Sequence, residues 1–212
     1  APALAARLPA HAVLTAKEDL RPYECDGLSA YRQTPFVAAL PGTVAEAAEV
    51  LRVARETGTP VVARGSGTGL SGGALPLADG ILLSLGKFNR ILAIDPLART
   101  LRAQPGVRNA QITEAAAPLG FYYAPDPSSQ IACSIGGNVA ENSGGVHCLK
   151  YGLTVHNVLR VRGFTIDGVA VEFGSEALDA AGLDLMGVLV GSEGLLAVTT
   201  EVTVKLVPKP QL

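Results

Sequence analysis

Apolar and polar residues change period several times along the chain, and each change predicts an element. Val44, Ala47, Ala48, Leu51 and Ala54 recur at helical spacing through Glu56, with Glu46, Glu49, Arg52 and Arg55 on the wet face. Thr43 precedes this run with Glu46 three residues on, a capping-box pattern, and Gly58 ends it. "PVVAR" (60–64), "GILLSL" (80–85) and "RILAID" (90–95) are short apolar runs bounded by turn residues and predict strands. "RTLRAQPG" (99–106) alternates as a strand, and residues 107–120 predict a helix from Asn109 closed by Gly120. "VHNVLRVRGFTIDGVAVEF" (155–173) predicts a hairpin turning at Asp167-Gly168. A brief helix is expected at 184–191 and a long final strand at 195–208. Residues 1–40 show no period beyond one short helix.

The pattern is α+β. The beginning is strand–helix–strand in style with short connections, and after Pro96 it becomes rich in antiparallel signals. Two α+β subdomains are expected, 1–96 with a small mixed or parallel sheet and 97–212 with an antiparallel sheet and helices.

Composition narrows the classes. The 212 residues are 48% hydrophobic and 17% charged, enough to bury a core and too apolar for disorder. A net charge of −2 without a Lys/Arg cluster gives no sign of nucleic acid. No apolar run reaches the roughly 18 residues of a membrane span, and "APALAARLPAHAVL" lacks the plan of a secretory signal. Three cysteines argue against a disulfide framework and fit a reducing cytosol. The 24 glycines stand out, because they cluster at 65–73, 136–145 and 187–194. Clusters of this kind suit close backbone approach to a ligand.

The first cluster contains G-x-G-x-x-G at Gly67–Gly72, but Gly73, Pro76 and Gly80 make the helix of a Rossmann unit improbable. A Walker A loop is excluded because no Gly-Lys-Ser/Thr follows. What survives is an anion nest of backbone N–H groups, with hydroxyls from Ser66, Thr68 and Ser71 and charge from Arg64, unless that strand-end arginine is solvated. A plain structural loop is the competing reading. In the second cluster Gly136-Gly137 and Gly144-Gly145 permit backbone contact with a flat ring, and Asn138 and Asn142 offer donors and acceptors.

"VVARGSGTGLSGG", "APDPSSQIACSIGGNVAENSGGVHCLKYGLTVHN" and "VGSEGLLAVTTEVTVKL" stand in an order that resembles the FAD-binding (PCMH-type) domain of the vanillyl-alcohol-oxidase flavoprotein family. The second passage is similar to its glycolate oxidase and FAD-linked D-lactate dehydrogenase branch. The resemblance runs from about Pro41 to Pro208. It implies that Arg64, Gly65, Ser66, Gly67, Thr68, Gly69, Leu70 and Ser71 wrap the FAD pyrophosphate. It implies that Pro125, Asp126, Ser134, Gly136, Gly137, Ala140 and Asn142 surround the pyrophosphate, ribityl chain and flavin ring. Glu193 and Gly194 fall at the adenosine end, with the Val198 backbone. Thr68 stands where some relatives link FAD through histidine, and the cysteinyl position of others falls nearer Gln130 than Cys133, so noncovalent FAD is expected. Leu195 and Ala197 depart from the threonine or methionine and the glycine of many relatives.

The same resemblance implies hydride transfer from the α-carbon of glycolate or another D-2-hydroxy acid to flavin N5. Electrons then pass to companion subunits, a second flavin subunit and an iron–sulfur subunit. The protein is expected in the cytoplasm, at most peripheral to the inner membrane through those partners. A substrate domain is expected beyond residue 212, so residues 1–212 alone are expected to be inactive. Outside the family the alternative is a nucleotide- or phosphate-binding module without redox chemistry. His147 is a catalytic candidate. His147, Cys148 and His156 lack metal-ligand spacing. Cys133 is expected as a packing residue, Tyr122 and Tyr123 as core or rim residues, and Lys150 as either a family-motif residue or a solvated one.

Overall fold

The computed structural model describes residues 1–177 and 182–210. Two short helices, α1 (Pro2–Ala5) and α2 (Lys17–Leu20), lead into a four-stranded sheet. Its strands are β1 (Val13–Leu14), β2 (Val37–Ala39), β3 (Val61–Arg64) and β4 (Ile81–Ser84), in the order β1-β2-β4-β3. β2 and β3 both run parallel to β4, and β1 is an antiparallel edge. Parallel neighbours need a crossover, and α3 (Val44–Thr57) supplies it between β2 and β3.

Local signals explain α3. Thr43 Oγ1 accepts from Glu46 N at 3.2 Å, as the capping pattern predicts. The Glu46 carboxylate reaches one residue further than a capping box requires and accepts from Gly42 N at 2.7 Å. Gly58 ends the helix at φ 63°, where a Cβ would be strained. Ala47, Val50, Leu51, Val53 and Ala54 are buried, each Val or Leu contributing about 1.5–3 kcal/mol. Val44, expected on the apolar stripe, is exposed in the first turn.

Strand β2 does not appear in the sequence pattern. Val37, Ala38 and Ala39 are buried on both faces between β1 and β4, so they carry no alternation.

The second sheet is antiparallel. Its strands are β5 (Ile91–Asp95), β6 (Thr100–Ala103), β8 (Val158–Phe164), β9 (Ala170–Gly174) and β10 (Val198–Lys205), in the order β5-β6-β10-β8-β9. A small ribbon pairs β7 (Phe121–Tyr122) with β11 (Val207–Pro208). Because β5 pairs with β6, the change of sheet falls between Ser84 and Ile91, ahead of Pro96. The β8–β9 hairpin turns at Gly168 with φ 76°, as Asp167-Gly168 predicts. The expected single strand over 195–208 is divided: Leu195–Ala197 lie outside it, and Leu206 interrupts β10 and β11. Helices α4 (Asn109–Ala116), α5 (Ile135–Glu141), α6 (Cys148–Tyr151) and α7 (Leu185–Leu189) accompany this sheet.

Each sheet has its own apolar core. Leu51, Leu83 and Phe88 fill the first, and Leu101, Ile112, Ile135 and Val202 the second. Val198, the first residue of β10, is buried in the first core, so the two units meet at the start of β10.

Candidate functional site

A cavity of about 290 Å³ lies where the loop after β3 faces α5 and the start of β10. Arg64, Gly65, Ser66, Gly67, Thr68, Gly69 and Leu70 form one wall. Ser134, Gly136, Gly137 and Ala140 form the other, and Glu193 and Gly194 close one end. A second cavity of about 470 Å³ adjoins it through Ala63, Gly194 and Ala197. It is bounded by the end of α3, the Ile166–Asp167 turn and Val198.

The glycines are dictated by contact. A Cβ on Gly65 would fall on Ser134 Oγ, across the cleft. Gly67 has φ 67°, and a Cβ there would fall on the Arg64 guanidinium. On Gly136 it would lie 2.6 Å from Pro105 Cβ. No helix follows Gly72, which has φ 82°, so the G-x-G-x-x-G run is not a Rossmann turn.

Arg64 is buried rather than solvated. Its Nη1 donates to Ala74 O at 3.3 Å, and its Cζ sits 5.9 Å from the Tyr23 ring centre. Burial lowers its pKa, and Asp26, Cys25 and Tyr23 oppose that shift. The arginine keeps a positive charge inside the loop. The turn around Gly27 supports the loop from below, since a Cβ on Gly27 would lie 2.8 Å from the carbonyl oxygens of Thr68 and Gly69. The sequence reading missed this prop; its legible signal was the Asp26-Gly27 pair, a turn dipeptide.

Polar atoms at the cleft lack partners. Ser134 Oγ and Asn138 Nδ2 are buried without a hydrogen bond, and both residues line the cavity. Buried polar atoms are satisfied in the great majority of cases, so this pair fits a polar ligand in the cleft. Asn138 was noticed in sequence but not placed among the site residues. Cys133, also lining the cavity, is buried, and burial pushes its thiol pKa up.

Four expected site residues stand outside the cavity wall. Ser71 Oγ donates to Glu141 Oε2 at 3.0 Å. Pro125 O accepts from Asn109 Nδ2 at 3.1 Å. Asn142 ends α5 at φ 51°, and its Oδ1 accepts from Val155 N at 3.0 Å. Asp126 Oδ2 meets His147 Nδ1 at 2.9 Å, and Asp126 Oδ1 accepts from His147 N at 3.1 Å. Val198 lines the second cavity while its backbone pairs with Phe164.

The His147 ring makes edge contacts with Tyr122 and Tyr151 at centroid distances of 6.5 and 6.4 Å. Burial first, then a hydrogen bond with Tyr151, pushes the Tyr122 pKa up to about 12. Tyr122 and then Lys150 hold that of Tyr151 down. Lys150 Nζ lies 5.1 Å from the Tyr151 ring centre. His156 Nδ1 accepts from Leu153 N at 3.1 Å. Among the described residues no group of three or more His, Cys, Asp or Glu could hold a metal ion.

Two α+β units meeting at a glycine-lined cleft, with no Rossmann turn, define a flavin-type nucleotide domain. The chain belongs to the FAD binding domain family, whose model matches residues 35–174. It is 59% identical over 208 residues to the glycolate oxidase subunit GlcD of Escherichia coli K12, covering 98% of this chain and 42% of that protein. It is 40% identical to the GlcD subunit of Bacillus subtilis (89% of this chain, 40% of that protein). The D-lactate dehydrogenase of Archaeoglobus fulgidus is 39% identical (82% of this chain, 39% of that protein). The chain thus spans about two fifths of the length of these relatives. The solved structure of an alkyldihydroxyacetonephosphate synthase superposes with a TM-score of 0.87 at 21% identity, over 100% of this chain and 40% of that one. This likeness shows the fold.

Proposed function

We propose that the chain is the FAD-binding part of a 2-hydroxy-acid oxidoreductase of the glycolate oxidase type. The observation that carries the cofactor is the cleft, where a glycine loop closes over one buried arginine and faces unpartnered Ser134 Oγ and Asn138 Nδ2. Residues 64–70 take the diphosphate, and Ser71, expected beside them, instead fastens the loop to α5. The second cavity takes the adenosine end beside Gly194 and Val198, with Glu193 at its entrance. The α5 wall lies along the ribityl chain and ring, with Pro125, Asp126 and Asn142 holding that wall in shape. The two sheets correspond to the two subdomains, with the change-over between Ser84 and Ile91.

Bound FAD supplies a hydride acceptor at N5. His147 is this chain's candidate proton acceptor: its Nδ1–Asp126 bond fixes the tautomer and leaves Nε2 as the basic nitrogen. Thr68 offers no histidyl link, and the buried Cys133 thiol is a poor nucleophile, so FAD is held noncovalently. Glycolate is the first substrate to test, because the 59% identical relative is a glycolate oxidase subunit, with D-lactate as the alternative. Companion flavin and iron–sulfur subunits receive the electrons. Among the described residues no helix is long and apolar enough to cross a membrane.

The test is the visible spectrum of the purified protein, then acid precipitation. A flavin spectrum with all colour in the acid supernatant is expected. A colourless protein that takes up no added FAD refutes the cofactor reading, and colour in the pellet refutes noncovalent binding. Dye reduction with glycolate and D-lactate is expected to be absent from residues 1–212 alone, and turnover by them would show that the chemistry resides here.

A further inference from the structure

Among the described residues, one side-chain hydrogen bond joins the glycine loop to α5: Ser71 Oγ to Glu141 Oε2. Its ends are 70 residues apart in sequence, and both are exposed. The other carboxylate oxygen, Glu141 Oε1, lies 3.1 Å from where Gly73 would carry a Cβ and 3.8 Å from the same point on Gly69. Glu193 Oε2 approaches the Gly73 position at 3.7 Å. Glu193 N donates to Ala140 O at 2.8 Å, so both acids stand at the C-terminal end of α5 and face the loop.

This is an unfavourable place for a carboxylate. Glu141 is the last residue of α5, where the helix dipole disfavours negative charge. It also stands at the lip of the cleft that the proposed function assigns to a diphosphate, an anion. Its one compensating contact is the grip on Ser71. We infer that Glu141 is a positioning residue for the cofactor, a clasp with two opposed effects. Through Ser71 it holds the loop against α5 and slows FAD release. Through its charge it repels the diphosphate and limits affinity. The inference rests on the FAD reading above.

The two effects separate by mutation. E141Q keeps an acceptor for Ser71 and removes the charge. S71A removes the grip and keeps the charge. FAD dissociation constants and release rates are measured by flavin fluorescence at low and high salt, with thermal melts alongside. For E141Q we expect FAD to bind roughly three- to tenfold more tightly at low salt, with the gain shrinking as salt screens the wild-type repulsion. For S71A we expect release roughly three- to tenfold faster. Opposite signs with unchanged melting temperatures support the clasp. Wild-type FAD binding with both variants within twofold of it overturns the clasp alone, as does weakening in both variants with lowered melting temperatures. Wild-type protein that takes up no FAD overturns the cofactor reading and the clasp with it.

Discussion

Gly67→Ala tests whether the loop is shaped around Arg64. At φ 67° an alanine costs about 1–2 kcal/mol over glycine. Its Cβ would coincide with the Arg64 guanidinium, which is buried and must leave its place. Moving that group loses the bond to Ala74 O and the contact with the Tyr23 ring, together worth about 1–2 kcal/mol. The sum, roughly 2–4 kcal/mol, lowers the melting temperature by roughly 5–12 °C in a chain of this size. A thermal melt followed by circular dichroism measures it. The decisive comparison adds Arg64→Ala. With the guanidinium gone, Gly67→Ala retains only the backbone term, so the two substitutions couple by about 1–2 kcal/mol. Additivity within about 0.5 kcal/mol would show that Arg64 does not fill the space beneath Gly67, and the account of the loop would fail.

Ser134→Ala removes a buried, unpartnered hydroxyl. It should leave the melting temperature unchanged or raise it while weakening FAD binding roughly two- to tenfold; a destabilised variant with normal FAD affinity would contradict the assignment of that hydroxyl to the ligand. Tyr122 and Tyr123 should ionise late, after Tyr151, in an ultraviolet alkaline titration, because burial raises both pKa values while that of Tyr151 is lowered. With folded values above the unfolded one near 10, their stabilising contribution is complete below pH 10 and is lost as pH climbs; for Tyr122 the loss is complete near 12. Tyr122→Phe should delete one late step, and a titration indifferent to it would place Tyr122 in water.

What sequence made legible was what local chemistry decides. Thr43 and Gly58 bracket α3, and Gly168 turns the hairpin, because caps and positive-φ turns are written in a few adjacent residues. The absence of a Rossmann helix after Gly72 was legible for the same reason, since Gly72 takes positive φ and Gly73, Pro76 and Gly80 follow it. β2 was invisible because a strand buried on both faces has no period. The sheet to which β5 belongs was misjudged because its partner β6 competes with β4 on terms no short window contains. The grip of Glu141 on Ser71 and the contact of Gly27 with Thr68 depend on tertiary placement, and only the turn character of Asp26-Gly27 hinted at the second.

The seat of Gly27 beneath Thr68 and Gly69 brings the opening segment into direct contact with the glycine loop. Leu4, Leu8 and Ala12 seal the same core as α3, and Gln33 N is tied back to Glu24 O at 2.7 Å. Local opening that lifts this segment also removes the floor of the loop, and whatever fastens the loop raises the free energy of that opening. Amide hydrogens at Ala12 and Gln33 are therefore expected to be remote reporters: if the loop holds FAD, their exchange with solvent deuterium should slow on FAD addition and speed again on its removal.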